Sequence, residues 1–117
     1  MANKTLEMTM LFDFYGGMLT EKQREYFDLY YNNDLSLSEI AESAGITRQG
    51  VHDLIARAET AMTDMESKIG AIARFNELRE CVSKAQGLVD DIIASSKDEQ
   101  VLNCAGKLSS LLGDLKG

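Results

Sequence analysis

The sequence predicts an all-α protein: a helix-turn-helix module followed by long C-terminal helices. Three observations carry that prediction. Proline is absent from the 117 residues, apolar side chains recur at helical spacing nearly throughout, and two capping-box tetrads mark helix starts. Four or five helices and no strands are expected.

Leu6, Met10, Leu11, Phe14 and Tyr15 form a first amphipathic stretch, which the Gly16-Gly17 pair ends. Thr20-Glu21-Lys22-Gln23 reads as a capping box opening a second helix, along which Tyr26, Phe27, Tyr30 and Tyr31 recur at helical spacing. That spacing favours a packed stripe over a platform for stacking bases. Asn32-Asn33-Asp34 breaks the helix, and Ser36-Leu37-Ser38-Glu39 is a second capping box that fixes where the next one begins.

Residues 37–58 then have the pattern of a helix-turn-helix. Ala41 is small where the second helix must cross the first, and Gly45 supplies the positive φ that a tight turn needs. Ile40, Ile46, Val51 and Leu54 fall where apolar side chains would lock the pair together. Thr47 is placed as N-cap of the second helix, so Arg48, Gln49, His52 and Asp53 project from its first turns.

Beyond the motif, Val51, Ile55, Ala58, Met62, Met65, Ile69 and Ile72 alternate steps of four and three, and Phe75, Leu78, Val82, Ala85, Val89 and Ile92 resume that alternation. Such spacing predicts a coiled-coil or long-bundle helix, either continuous with a stutter near Gly70–Arg74 or broken there in two. Ser95-Ser96-Lys97-Asp98 reads as a linker, followed by a terminal amphipathic helix bearing Val101, Leu102, Ala105, Leu108, Leu111, Leu112 and Leu115. The chain therefore divides into a motif module at 1–61, a helical extension at 62–94, and a linker with a short helix at 95–117. A stripe this long needs a cover, and a homodimer formed largely by 62–93, with 100–115 as a further contributor, is expected.

Charge and composition narrow the function. The chain is formally −7, and residues 21–60 hold four Lys or Arg against eight Asp or Glu, so general affinity for a polyanion is low. Only residues 47–58 reverse the sign, with Arg48 and Arg57 against Asp53 and with His52 able to add a charge. Arg and Gln at the head of such a helix are the types that reach base edges, and Lys22 or Arg24 would hold phosphate. Asp90-Asp91 and Asp98-Glu99 are sequence neighbours that splay apart on a helix and make no catalytic dyad. No nucleophile elbow, phosphate loop or metal-ligand cluster is present, so no catalytic residue, metal or cofactor is expected. Cys81 and Cys104 read as reduced, packed thiols. The absence of a membrane-length apolar run and of a signal-peptide pattern places the chain in the cytoplasm with no membrane partner.

Leu19-Thr20-Glu21-Lys22-Gln23-Arg24-Glu25-Tyr26-Phe27, Leu37-Ser38-Glu39-Ile40-Ala41 and Gly45-Ile46-Thr47-Arg48-Gln49-Gly50-Val51 resemble region 4 of bacterial sigma factors, whose helix-turn-helix binds promoter duplex. Together with Leu11-Phe12-Asp13-Phe14-Tyr15, Leu29-Tyr30-Tyr31 and His52-Asp53, these segments resemble the YlxM family of small bacterial helix-turn-helix proteins over residues 6 to about 75. That resemblance implies a sigma region 4-like module encoded beside the genes for the signal recognition particle protein, with a regulatory role in that pathway and no catalytic residues. Two features depart from a DNA repressor: Gly50 stands where the family has Ala, and the motif's surroundings are acidic.

Three functions follow as expectations. The first is a non-enzymatic regulatory or accessory protein contacting the signal recognition particle's RNA or its GTPase protein through Thr47, Arg48, Gln49, His52, Asp53 and Arg57. The alternative is a sequence-specific DNA-binding transcription regulator, with Gln49 and Arg48 reading base edges and Lys22 or Arg24 holding phosphate. The third is a structural adaptor whose C-terminal helices are the interface.

Overall fold

The computed structural model describes residues 2–116, with side chains from residue 5 onward. Among them are six α-helices and one 3-10 turn: α1 (Ala2–Tyr15), the turn Gly16–Met18, α2 (Glu21–Tyr31), α3 (Leu37–Ala44), α4 (Arg48–Ile69), α5 (Ala71–Ser95) and α6 (Glu99–Lys116). The helices exceed the expected four or five because the long run from Val51 breaks. Gly70 takes a left-handed φ of 66° there, which ends α4 and lets a new helix start at once. The chain falls into two compact units, Met1–Ile72 and Ala73–Gly117.

In the N-terminal unit α1, α2 and α3 all pack on α4. Both capping boxes form as the sequence predicts. The Thr20 hydroxyl accepts from the Gln23 backbone N–H at 3.2 Å while the Gln23 side-chain Oε1 accepts from the Thr20 backbone N–H at 3.1 Å, and Ser36 and Glu39 make the same exchange at 3.0 Å each way. Hydrogen bonding to the carboxylate from Ser36, first from its backbone N–H and then from its side chain, lowers the Glu39 pKa from its ordinary value. The helix break after α2 rests on Asn32 donating to Asp28 at 2.6 Å and on Asp34 adopting φ 55°, a conformation that Asp tolerates better than most residues.

Phe27 is fully buried at the centre, its ring 4.8 Å from that of Phe12 and 4.5 Å from that of Tyr31. Ile40, Val51 and Met62 are sealed around it; removing side chains of this size from water contributes about 1.5–3 kcal/mol apiece. In α1 the buried stripe is Met8, Leu11 and Tyr15, whereas Leu6 is 70% exposed and Phe14 faces outward. The first amphipathic stretch is thus shifted round the helix from its expected phase, because α1 is apolar on more than one face and contact with α4 and α2 selects one.

A polar latch fixes the end of this unit. The Tyr15 hydroxyl donates to Glu66 Oε1 at 2.6 Å, and the same carboxylate oxygen accepts from the Ile72 N–H at 3.0 Å; the Tyr15 oxygen in turn accepts from the Ala71 N–H at 3.3 Å. Two amides at the start of α5 are satisfied in this way, as a helix N-terminus requires. Met62, Met65, Ala71 and Ile72 belong to this core, so the compact module extends to residue 72 and not 61, and the first part of the expected dimer stripe is used within the chain.

The C-terminal unit is a hairpin of α5 and α6. The loop breaks at 96–98, where Asp98 caps α6 by accepting from the Gln100 N–H at 2.8 Å and the Val101 N–H at 3.3 Å. Gln86 donates to the Ser109 hydroxyl at 2.8 Å and sets the register of the two helices. Val82, Val89 and Ala105 are its buried apolar residues among those described. Cys81 and Cys104, expected to be packed, are free thiols on the exposed surface. No helix among the described residues is long and apolar enough to cross a membrane.

Candidate nucleic-acid interface

The helix-turn-helix is formed by α3 and α4. Gly45 turns the chain at φ 72°, and the Ala41 carbonyl accepts from the N–H groups of both Gly45, at 2.9 Å, and Ile46, at 3.2 Å. Ala41 is buried at the crossing; Ile40 and Val51 are sealed, and Leu54 is half-buried against the core. Ile46 departs from its expected role. It is 40% exposed and locks nothing, because the tight turn points the chain away from the core between Gly45 and Thr47.

Thr47 is the N-cap of α4, its hydroxyl accepting from the Gly50 N–H at 2.9 Å. Its primary role is therefore to hold the helix start. Arg48, Gln49 and His52 project from the first turns, all exposed, and with the half-buried Leu37 of α3 they line a shallow hollow of about 360 Å³. Asp53 stands beside it. Gln49 donates to the Asp53 carboxylate at 2.9 Å, and His52 Nδ1 lies 3.5 Å from the same oxygen. The Asp53 carboxylate orients the Gln49 amide and, standing beside the His52 ring, reduces the local positive potential, which leaves Arg48 as the cation at the hollow with no ion pair among the described residues.

The remaining expected residues lie elsewhere. Arg57 is exposed on α4 but nine positions beyond Arg48, which in a regular helix is about 13 Å along the axis and half a turn round. A single cationic ridge joining the two is thus not formed. Lys22 sits 5.8 Å from the centre of the Tyr26 ring, a cation–π contact within α2. Arg24 shares a surface hollow with Phe12, Glu21, Glu25 and Asp28, three carboxylates that disfavour a phosphate. Residues 1–72 carry six Lys or Arg against twelve Asp or Glu, so the Arg48 hollow is a small cationic feature on an anionic unit.

Two features of the site were not read from the sequence. Leu37, taken only as the start of a helix, supplies the apolar wall of the hollow; its place one residue after the cap was the available signal. The tie between α2 and α4, in which the Tyr31 hydroxyl donates to Glu59 at 3.0 Å, keeps the recognition helix seated. Burial, then the Glu59 charge, pushes the Tyr31 phenol above its ordinary range. Among the described residues no group of His, Cys, Asp and Glu is placed to hold a metal ion.

The comparisons agree with this geometry. The family described as YlxM / p13-like helix-turn-helix proteins matches residues 2–103. A UPF0122 protein of Thermoanaerobacter sp. (strain X514) is 39% identical over 110 residues, covering 94% of each chain. Another from Halalkalibacterium halodurans is 46% identical over 90 residues, 77% of this chain and 83% of its own, and one from Bacillus thuringiensis is 44% identical over 91 residues. A helix-turn-helix family implies nucleic-acid binding. This chain belongs to the UPF0122 family of YlxM / p13-like helix-turn-helix proteins.

Proposed function

We propose that this protein is a non-enzymatic accessory factor of the signal recognition particle pathway that docks on the particle's RNA through the first turns of α4. The observation that carries the reading is the hollow of Leu37, Arg48, Gln49 and His52, a compact donor set on an acidic unit. One cation beside an oriented amide and an exposed imidazole suits a structured RNA, where shape, splayed bases and hydroxyl contacts supply recognition. A long duplex is a poorer fit, since neutralising many phosphates needs a basic face and Arg24 and Arg57 stand away from this one. Asp53 holds Gln49 and thereby sets the direction of its amide.

The test is binding of the purified protein to the particle's RNA, to its GTPase protein and to duplex DNA, each across a salt series. Arg48→Ala combined with His52→Ala should weaken RNA binding by at least about 10-fold, or 1.4 kcal/mol, while Arg57→Ala changes it by less than about 3-fold. Binding that ignores the Arg48 and His52 substitutions removes the hollow from the account. Binding to the GTPase protein alone would move the contact from RNA to protein. Tight duplex binding with a steep salt slope would instead make the chain a DNA-binding regulator.

A further inference from the structure

We infer that α6 of one chain pairs with α6 of a second copy, making the protein a homodimer through its C-terminal hairpin. The helix carries two neighbouring stripes of four-three spacing. Leu102, Ala105, Ser109 and Leu112 run along the side facing α5, where Ala105 is buried, Leu102 and Leu112 are half-buried and Ser109 accepts from Gln86. Val101, Cys104, Leu108, Leu111 and Leu115 run along the neighbouring side. There Leu108, Leu111 and Leu115 are 45%, 62% and 59% exposed, and Cys104 lies in the open. The second stripe has the knob spacing of a helix-helix seam, with α5 already occupying the first.

The occupant follows from size and charge. A hairpin of residues 73–117 with Val82, Val89 and Ala105 as its buried apolar residues stands close to the limit of about 40 residues below which oligomerisation is usually needed, so burying its open stripe against an identical stripe adds core where the unit has least. Leu78, Ile92, Val101, Leu108, Leu111 and Leu115 together expose on the order of 500 Å² of apolar surface per copy, hence about 1,000 Å² per pair, where specific interfaces begin. An open hollow of about 430 Å³ between α5 and α6, with Val89, Ile92, Val101, Cys104, Ala105 and Leu108 in its lining, adjoins this face. Residues 73–117 hold six Lys or Arg against seven Asp or Glu, and α6 itself two of each, so like copies meet without the repulsion that two acidic N-terminal units would suffer. An isologous pairing about a two-fold axis is the simplest arrangement that covers both stripes.

Sedimentation velocity on the full chain should give twice the 12.9 kDa of one copy, and a Leu108→Glu, Leu111→Glu variant should sediment as a monomer with its helical content kept. Burying those carboxylates should raise the dimer dissociation constant by at least about 100-fold. Leu88→Glu, on an exposed residue outside the α6 stripe, should remain dimeric. Because the double variant can lose structure, a second measurement is independent of it: a hexane-length bismaleimide should link two copies of Cys81→Ser through Cys104, and should link none of Cys104→Ser. A wild-type monomer at 100-fold above the working concentration, a dimer indifferent to both glutamates, or crosslinking through Cys81 alone would each overturn the assignment.

Discussion

In the N-terminal unit Phe27, Ile40, Val51 and Met62 are sealed by helices packed on α4; in the C-terminal hairpin Leu108, Leu111 and Leu115 face outward from a helix of similar length. Both regions carry the same helical spacing. The difference lies in how many neighbours share each stripe, since α4 is covered by α1, α2 and α3, whereas the hairpin unit supplies only α5 and α6. Periodicity therefore specifies which face of a helix is apolar and leaves open what covers it. The candidate recognition surface belongs to the self-sufficient unit, where a rigid core can hold Arg48 and Gln49 in place.

The largest effect that tests this contrast is Phe27→Ala. Loss of a sealed ring stacked on Phe12 should lower stability by about 3–5 kcal/mol in urea unfolding. Val82→Ala in the hairpin should cost about 1.5 kcal/mol, as expected for two buried methyl groups. Equal costs at the two sites would mean that the units do not differ in how completely they are packed.

Glu66→Ala should follow in size. It leaves the Tyr15 hydroxyl and the Ile72 N–H without their shared acceptor, a loss of about 1–3 kcal/mol. Hydrogen exchange gives the sharper readout, because the Ala71 and Ile72 amides should lose protection while amides in the middle of α2 keep theirs. Thr47→Ala removes the α4 cap and should cost about 1 kcal/mol, and faster exchange at the Gly50 amide would show that the first turn frays. Fraying there would also loosen the Arg48 hollow, so RNA affinity should fall further than Arg57→Ala lowers it.

Much of this was legible in the chain itself, for identifiable reasons. The two capping boxes, the Gly45 turn and the Thr47 cap are local devices whose hydrogen bonds span three or four residues, and each formed where the sequence placed it. What escaped depended on distant partners. Tyr15 and Glu66 are fifty-one residues apart, and nothing in either neighbourhood announces their bond. The phase of α1 was missed because Leu6 and Phe14 are as apolar as Met8 and Leu11, and only the packing on α4 and α2 chooses between them. At the site, residue types identified Arg48, Gln49 and His52, but treating exposed cations as one surface joined Arg57 to them without regard to helical angle. Leu37 was passed over because an apolar residue beside a cap looks like packing until the groove it walls is seen.

The smallest effect concerns Gly50, and here two terms oppose. Alanine is favoured over glycine by up to about 1 kcal/mol in a helix interior, and less in a first turn such as this one. Against that, a Cβ at Gly50 would stand 3.1 Å from the Thr47 hydroxyl oxygen, a tight contact, and 3.7 Å from Ile46 Cδ1, an ordinary one. Thr47 is exposed and its side chain has room to shift by the few tenths of an ångström required, so the propensity term should win. Gly50→Ala is expected to stabilise the chain by about 0.5 kcal/mol, measured as a rise in the urea midpoint at unchanged slope. Destabilisation would mean that the cap is held rigidly, and the same change in a Thr47→Ser background, where the missing methyl frees the hydroxyl, would then recover the gain. If RNA affinity falls while stability rises, the bare backbone at Gly50 is itself part of the docking surface, which would extend the recognition hollow one residue further into α4.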